Sequence, residues 1–401
     1  MKTYSLIFLI VIFSLPALAC SLFQSTDTEA TATAVAAEVF SNLTVQAPTA
    51  TFTQSPTKAP TNTPTIPPPG ATSQGRGKNG HPTLDEVTHW LYYIDVNLDD
   101  ETLNQIVDSS YDVIVIDYIV SEENNTDYPL AEAIESMHNA EHPKLVIAYI
   151  DIGQAEDFRT YWQPDWEIGN PEWIIALDPD GWEGNYPVAY WWDEHREIWL
   201  GEDGYLQGIL DSGFDGVYLD WIEAYSDENV IAFAREESVD PLQEMIWWVG
   251  DIADYTRSQD PEFIVIAQNA AEMAQYDEYV DIIDAIAQEQ VWFDIGADNI
   301  PPGDCPLPET EEDIDTDDHY NSLSPECQQQ YDEYPESTLH VSSEEFITYL
   351  TAAQDKGLII FTVDYATNPD NIANVYRTSR SIGFVPFVST RFLNQYIEPV
   401  P

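Results

Sequence analysis

Gly213-Phe214-Asp215-Gly216-Val217-Tyr218-Leu219-Asp220-Trp221 is the stretch that decides the fold. A turn-forming Asp-Gly pair feeds a short β-branched and aromatic run, the signature of a strand, and a carboxylate stands where the run ends. Val113-Ile114-Val115-Ile116-Asp117, Ile174-Ile175-Ala176-Leu177-Asp178 and Ile359-Ile360-Phe361-Thr362-Val363-Asp364 repeat the arrangement. Helical periodicity fills the intervals. Strands alternating with helices build right-handed parallel units. In a parallel αβ barrel the carboxyl ends of the strands form the active-site face. Recurrent strand-end acids therefore read as a ring of carboxylates around a mouth.

Working outward, eight strands are expected: Trp90–Val96, Asp112–Tyr118, Lys144–Ile152, Trp173–Asp178, Gly216–Trp221, Phe263–Asn269, Asp284–Glu289 and Leu358–Tyr365. The helices expected are Asp100–Ser109, Leu130–Ala140, Tyr205–Ser212, Asp227–Arg257, Ala271–Asp281, Ser343–Lys356 and Pro369–Ile382. Asp99 and Ser342 read as N-caps, and Gly357 as a helix C-cap. The fold class is thus α/β, a (β/α)8 TIM barrel over residues 81–401. Two long inserts interrupt it after strand ends. Asp180–Gly201 carries Trp182, Trp191, Trp192 and Trp199, and Ile295–Leu339 carries a dense acidic run. The aromatics either stack on sugar rings above the mouth or hold the insert down as a small core of its own.

The N-terminal region reads differently. Met1–Ala19 is a lysine, an apolar run too short to span a bilayer, and small residues, which is a secretory signal. It ends at Cys20 in a lipobox-like Ala17-Leu18-Ala19-Cys20, so lipidation at Cys20 and a membrane-anchored place in the cell envelope or outside the cell are expected. Residues 20–80 are Thr, Ala, Pro and Ser with few large apolar side chains, a composition that cannot offset its ordering entropy. Such a tether would span roughly 40–50 Å. In an exported protein the two remaining cysteines, Cys305 and Cys327, are expected to pair. Against 72 acidic residues stand 13 basic ones, a formal charge of −59. That balance excludes nucleic acid as a partner. It suits either a cationic ligand or a saline habitat.

No His/Cys ligand cluster is present, so neither metal nor cofactor is expected. Asp313-Ile314-Asp315-Thr316-Asp317 starts like a calcium loop but has Asp318 where glycine belongs and Ser324 where glutamate belongs. Paired carboxylates are the chemistry left. Glycoside cleavage needs two, one a proton donor and one a nucleophile or base. Asp220 ends the fifth expected strand and Glu289 the seventh. Strands two apart point inward at one level, so these side chains can face each other across the mouth.

Tyr149-Ile150-Asp151-Ile152-Gly153-Gln154-Ala155-Glu156-Asp157-Phe158-Arg159 resembles the Tyr-Ile-Ser-Val-Gly-Glu-Ala-Glu-Asp-Tyr-Arg stretch of glycoside hydrolase family 114, the endo-α-1,4-polygalactosaminidases and their relatives. Gly213–Asp220 is similar to the family's Gly-Phe-Asp-Gly-Val-Tyr-Leu-Asp. Gln268-Asn269, Glu289, Asp364-Tyr365 and Val385-Pro386-Phe387-Val388-Ser389-Thr390 follow in the family's order. The resemblance implies a retaining mechanism with Asp220 as nucleophile and Glu289 as acid/base. It places Asp117, Asp151, Asn269, Asp364 and Tyr365 around the donor sugar, with Tyr118 and Trp221 beside them, and the substrate as a polysaccharide that is cationic when deacetylated. Asp151 and Gln154 depart from the pattern's Ser and Glu, which bears on the substrate. Other roles stay open: Asp117 as a loop cap, Asp178 as a turn former, Asn269 as a bridge between strands, Arg159 as a structural ion pair, and the whole chain as a sugar-binding protein without catalysis or a glycosidase for another polymer.

Overall fold

The computed structural model describes residues 82–96, 98–119, 126–296, 304–335 and 337–401. The signal, Cys20 and the tether lie outside them. Ten strands are present: β1 Trp90–Tyr92, β2 Val113–Asp117, β3 Leu145–Asp151, β4 Gln154–Glu156, β5 Asn185–Pro187, β6 Gly216–Asp220, β7 Ile264–Gln268, β8 Ala285–Glu289, β9 Ile359–Tyr365 and β10 Val385–Ser389. Eight of them form one parallel sheet in the order β1-β2-β3-β6-β7-β8-β9-β10, and β4 and β5 form a separate antiparallel hairpin. The seam between β1 and β10 is bridged by a side chain, with Trp90 Nε1 donating to Val385 O at 3.0 Å. The result is a (β/α)8 barrel.

Two expectations are corrected. Trp173–Asp178 is not a barrel strand. Proline bounds it on both sides (Pro171 and Pro179), and its backbone bonds run to the hairpin instead of the sheet: Ile175 N donates to Pro187 O at 2.9 Å and Asp178 N to Asn185 O at 3.1 Å. The eighth strand is β10, Val385–Ser389, which is not among those expected and carries Pro386. A strand that ends the ladder tolerates that missing N–H. Asp220 therefore ends the fourth barrel strand and Glu289 the sixth, still two apart. The expected helix Asp227–Arg257 is two, α5 Glu228–Glu237 and α6 Pro241–Arg257. Ser238 turns left-handed (φ 61°) between them, and Asp240 caps the second with Pro241 at its first position.

The opening stretch needs both its glycines. Gly213 ends α4, Tyr205–Ser212, at φ 90°. A Cβ on Gly216 would stand 2.4 Å from Ile264 O, so only glycine lets β6 and β7 meet. Inside the barrel, aromatics from separate strands fill the lower layers. Tyr92 and Tyr218 have ring centroids 4.8 Å apart, and Trp90 and Phe361 5.0 Å. Burying each such ring contributes roughly 1.5–3 kcal/mol. Side chains alternate with period two. Tyr149 and Tyr218 inside therefore put Asp151 and Asp220 inside as well, one layer nearer the mouth. Among the described residues no helix is long and apolar enough to cross a membrane.

Candidate active site

The mouth is a cleft of about 1290 Å³, its floor made by the ends of β3, β6, β7 and β8. Asp220 is fixed by two donors: the Tyr149 hydroxyl on Oδ2 and, at 2.7 Å, the Trp221 amide on Oδ1. Glu289 accepts from the Tyr365 hydroxyl on Oε1, and on Oε2 from Gln268 Nε2 at 2.6 Å and Asn269 Nδ2 at 3.2 Å. Gln268 is held in turn by Tyr92, whose hydroxyl donates to its Oε1 at 3.2 Å. Asn269 cannot flip. Its Oδ1 accepts from the Glu289 amide at 2.9 Å and from Gln288 Nε2 at 3.0 Å. It thus bridges strands and holds a cleft carboxyl at once.

Backbone strain gathers at the same three strand ends. Trp221, Asn269 and Gln290, each just past β6, β7 or β8, have φ of 56°, 56° and 58°. Left-handed conformations outside glycine persist where surroundings impose them, and they cluster at functional sites. Here each turn carries the chain sharply away from the mouth and leaves the preceding side chain pointing into it.

Burial sets the electrostatics. Desolvation, then the charge of Glu289, pushes the Asp220 carboxyl up to about 7, against the opposing donors Tyr149 and Trp221. Burial also raises Glu289, opposed by Tyr365, Asn269, Gln268 and the nearby Arg391. Asp151 lies well above the carboxylate range because of burial, then Asp220, then Glu156. Both carboxyls of the pair, Asp220 and Glu289, therefore lie above their ordinary range, and the charge of Glu289 adds to the rise of Asp220.

The remaining site residues divide by parity. Asp117 and Asp151 line the cleft. Asp117 accepts from Arg159 Nη1 at 2.8 Å and from the Asp95 amide at 2.7 Å. Asp151 Oδ1 takes the Gly153 and Gln154 amides at 3.0 and 2.8 Å. Trp221 and Tyr365 also line it. Asp364 and Tyr118 do not. Each is one residue out of phase with the inward set. Asp364 accepts from the Trp292 and Phe293 amides at 2.6 and 3.0 Å and secures the chain after β8. Tyr118 packs edge-on against Tyr205, 5.2 Å between centroids, beneath α4. Arg159 makes a structural triad, with Nε and Nη2 on Glu156 at 2.8 and 2.9 Å.

The first insert splits its tryptophans. Trp191 and Trp192 donate to Glu237 at 2.7 and 2.9 Å, and Trp199 is buried. Trp182 alone of the four reaches the cleft rim, edge-on to Phe392 and under the Arg391 guanidinium, 4.4 Å from its ring centre. The second insert forms a cleft wall with Glu333, Tyr334 and Pro335. It is closed by a Cys305–Cys327 disulfide and hung on Asp294, which accepts from Gln330, Ser337 and Thr338. Asp313 and Asp315 of the calcium-like run are engaged by Thr310 and by Tyr331 and His340.

Sequence reasoning missed Tyr149, Gln268, Arg391 and Glu223. The first two were within reach, because each lies two residues from, or directly before, a residue already singled out. Glu223 comes three residues after Asp220 on a 3-10 turn, Ile222–Ser226. No strand rule covers it.

Paired strand-end carboxyls, tyrosine hydroxyls holding each, and an open trough above them make an arrangement able to cleave a glycosidic bond. The chain is similar to several known proteins. A protein of Deinococcus radiodurans is 29% identical over 334 residues, covering 83% of this chain and 90% of its own. One from Thermotoga maritima is 36% identical over 193 residues, 47% of this chain and 55% of its own. Among solved structures, Aspergillus fumigatus Ega3 in complex with galactosamine has a TM-score of 0.49 at 15% identity, covering 78% of this chain and 95% of that one. The glycoside hydrolase domain of PelA from Pseudomonas aeruginosa has a TM-score of 0.49 at 14% identity, covering 78% and 98%. The model of glycoside-hydrolase family GH114 matches residues 71–400, most of the chain, and the protein belongs to that family and is a glycoside hydrolase.

Proposed function

We propose that this hydrolase cuts an α-1,4-linked galactosamine polymer internally and with retention of configuration. Asp220 attacks the anomeric carbon while Glu289 gives its proton to the departing glycosidic oxygen. That leaves a glycosyl ester on Asp220 and a carboxylate on Glu289. Glu289 then takes a proton from water as the water oxygen displaces Asp220. One water is consumed, two shorter chains leave, and both carboxyls return to their starting states. The observation that carries this reading is the pair itself: two side chains from β6 and β8 in one cleft, each fixed by a tyrosine hydroxyl, with the charge of Glu289 raising the proton affinity of Asp220. The substrate class rests on family membership, and a mouth lined by acids accords with a polymer bearing ammonium groups.

The test uses residues 81–401 and deacetylated galactosamine polymer, with released reducing ends as the readout. Asp220→Asn and Glu289→Gln are each expected to lower kcat by about 10⁴-fold or more, the scale of losing a group on which each step depends. Near-normal turnover by either variant refutes the assignment. An inverted anomer in the first product, followed by NMR, refutes retention, and sugar binding without released ends marks a binding protein. We further propose that Cys20 is lipidated and tethers the enzyme to a membrane surface, on the strength of the Ala17-Leu18-Ala19-Cys20 sequence. Mass spectrometry of the mature N-terminus tests this, and an unmodified or absent Cys20 refutes it.

A further inference from the structure

Glu223 is a half-buried carboxyl group beside the pair that the two-acid mechanism leaves without a task. Its Oε1 accepts from Asn269 Nδ2 at 2.9 Å, and the same nitrogen donates to Glu289 Oε2 at 3.2 Å. A primary amide carries two hydrogens there, one for each carboxyl. Because Gln288 and the Glu289 amide fix the other end of Asn269, a change at Glu223 passes directly to Glu289. The second oxygen, Glu223 Oε2, is buried with no hydrogen-bond partner.

We propose that Glu223 is a positioning residue held as an uncharged acid: it orients Asn269, and through it Glu289, while keeping a third negative charge out of the site. The inference rests on the reading of Asp220 and Glu289 as the reacting pair. An anionic Glu223 would leave one oxygen buried and unpaired, which is costly, whereas a neutral acid costs much less. Burial, then the Asp220 charge, raises its carboxyl to about 8, while its own backbone amide and then the Asn269 donor oppose. The groups facing it are Asp220 and Tyr218 of β6, Tyr225 of its own turn, Asn269, Tyr279 beyond β7, and Glu289 of β8. These are acids, phenols and an amide.

The catalytic cycle explains why neutrality matters. One negative charge resides on Asp220 before attack and on Glu289 in the glycosyl-enzyme. A Glu223 carboxylate would place a second charge beside Glu289, make it hold its proton more tightly, and destabilise its anion in the intermediate. Alkaline loss of activity in the native enzyme then involves two ionisations, that of the general acid and that of Glu223.

The experiment measures kcat and KM from about pH 5 to 9 for the native protein, Glu223→Gln, Glu223→Ala and Asp220→Asn on deacetylated galactosamine polymer, with circular dichroism verifying folding. Glutamine keeps the acceptor for Asn269 and cannot ionise. Its kcat is expected to fall less than about tenfold near pH 6, with KM within about threefold and the alkaline limb shallower and shifted upward. Alanine leaves Asn269 unanchored and is expected to lose on the order of 10²-fold in kcat, most of it regained by glutamine. An unmoved alkaline limb in Glu223→Gln, full activity in Glu223→Ala, or a Glu223→Gln enzyme as inactive as Asp220→Asn each overturns the proposal. Asp220→Asn separates the two levels. If it is inactive and the limb is unmoved, only the role of Glu223 fails; if it is active, the reading of the pair fails.

Discussion

Replacing Arg159 with methionine separates a structural arginine from one that binds sugar. Its guanidinium joins the barrel to the β4–β5 hairpin through Glu156 on one side and Asp117 on the other, with side-chain exposures of 12%, 4% and 5%. The bidentate contact to Glu156 and the single one to Asp117 use three of five donors. Arg159→Met keeps much of the volume and leaves two buried carboxylates without their cation. Breaking a buried pair this way costs about 3–5 kcal/mol. That is a large share of an ordinary domain's stability, about 5–15 kcal/mol. At roughly 2–4 °C per kcal/mol the midpoint should drop by about 6–20 °C. The loss depends on pH. Burial already raises Glu156, so at low pH the orphaned groups take up protons and the penalty shrinks, while at high pH it is felt in full. The triple variant Arg159→Met, Glu156→Gln, Asp117→Asn removes the stranded charges and should recover most of the loss. Arg159→Lys should fall between, since a point charge cannot serve both partners in the same geometry. Urea unfolding, with the midpoint read at constant slope, gives the energies. A loss below about 1 kcal/mol, or a triple variant no better than the single one, sinks the structural account and returns Arg159 to sugar binding.

Three further outcomes follow from the same coordinates. Removing the disulfide with Cys305→Ser and Cys327→Ser frees a loop of 22-residue separation, worth about 3 kcal/mol by loop-closure entropy; limited proteolysis should then cut within residues 304–335 faster, and an unchanged cleavage rate would show that Asp294 alone secures the wall. Truncating the rim ring with Trp182→Ala should raise KM for long polymer by about tenfold, or ~1.4 kcal/mol, and leave short oligomers nearly unaffected; equal effects on both lengths would place Trp182 at the cleavage point instead. Burial raises Asp364 to about 7, above its value in an unfolded chain, so its contribution to stability is complete below about pH 4 and lost as pH rises through 7. Asp364→Asn should therefore flatten the fall in melting temperature between about pH 5 and 8, and an unaltered slope would contradict the shift.

Much of the barrel could be read from the chain because parallel strands buried on both faces leave a strong mark: β-branched runs, an entering turn, an acid at the exit. The same mark misled at Ile174–Asp178, which has the composition of a strand but takes its backbone partners from the β4–β5 hairpin and not from the sheet. Composition also hid β10, since proline weighs against a strand until its place at the end of the ladder is known. At the site, period two separates the expected residues that line the cleft from those that do not. Asp220, Glu289, Asp117, Asp151 and Tyr365 occupy inward positions. Asp364 and Tyr118 adjoin inward positions and face away. Nothing in the sequence fixes that phase for a single strand; it becomes visible only when the rings of Tyr92, Tyr149 and Tyr218 show which side is in. Glu223 was harder still, because its place follows from the left-handed turn after β6 rather than from the strand itself.

The same geometry limits what the formal charge can mean. On its floor and walls the cleft gathers Asp117, Asp151, Glu156, Asp220, Glu223 and Glu289, with the Arg159 guanidinium among them. Six carboxylates so close, mostly shielded from water, could not all stay ionised. Arg159 supports two of them, amide and hydroxyl donors hold Asp151, Asp220 and Glu289, and burial raises Glu223 to about 8 despite its Asn269 donor. A charge of −59 therefore describes the outer surface better than the mouth. The acidity that would draw a cationic polymer to the enzyme and the chemistry that would cut it are separate properties, and screening by salt reaches the first far more than the second.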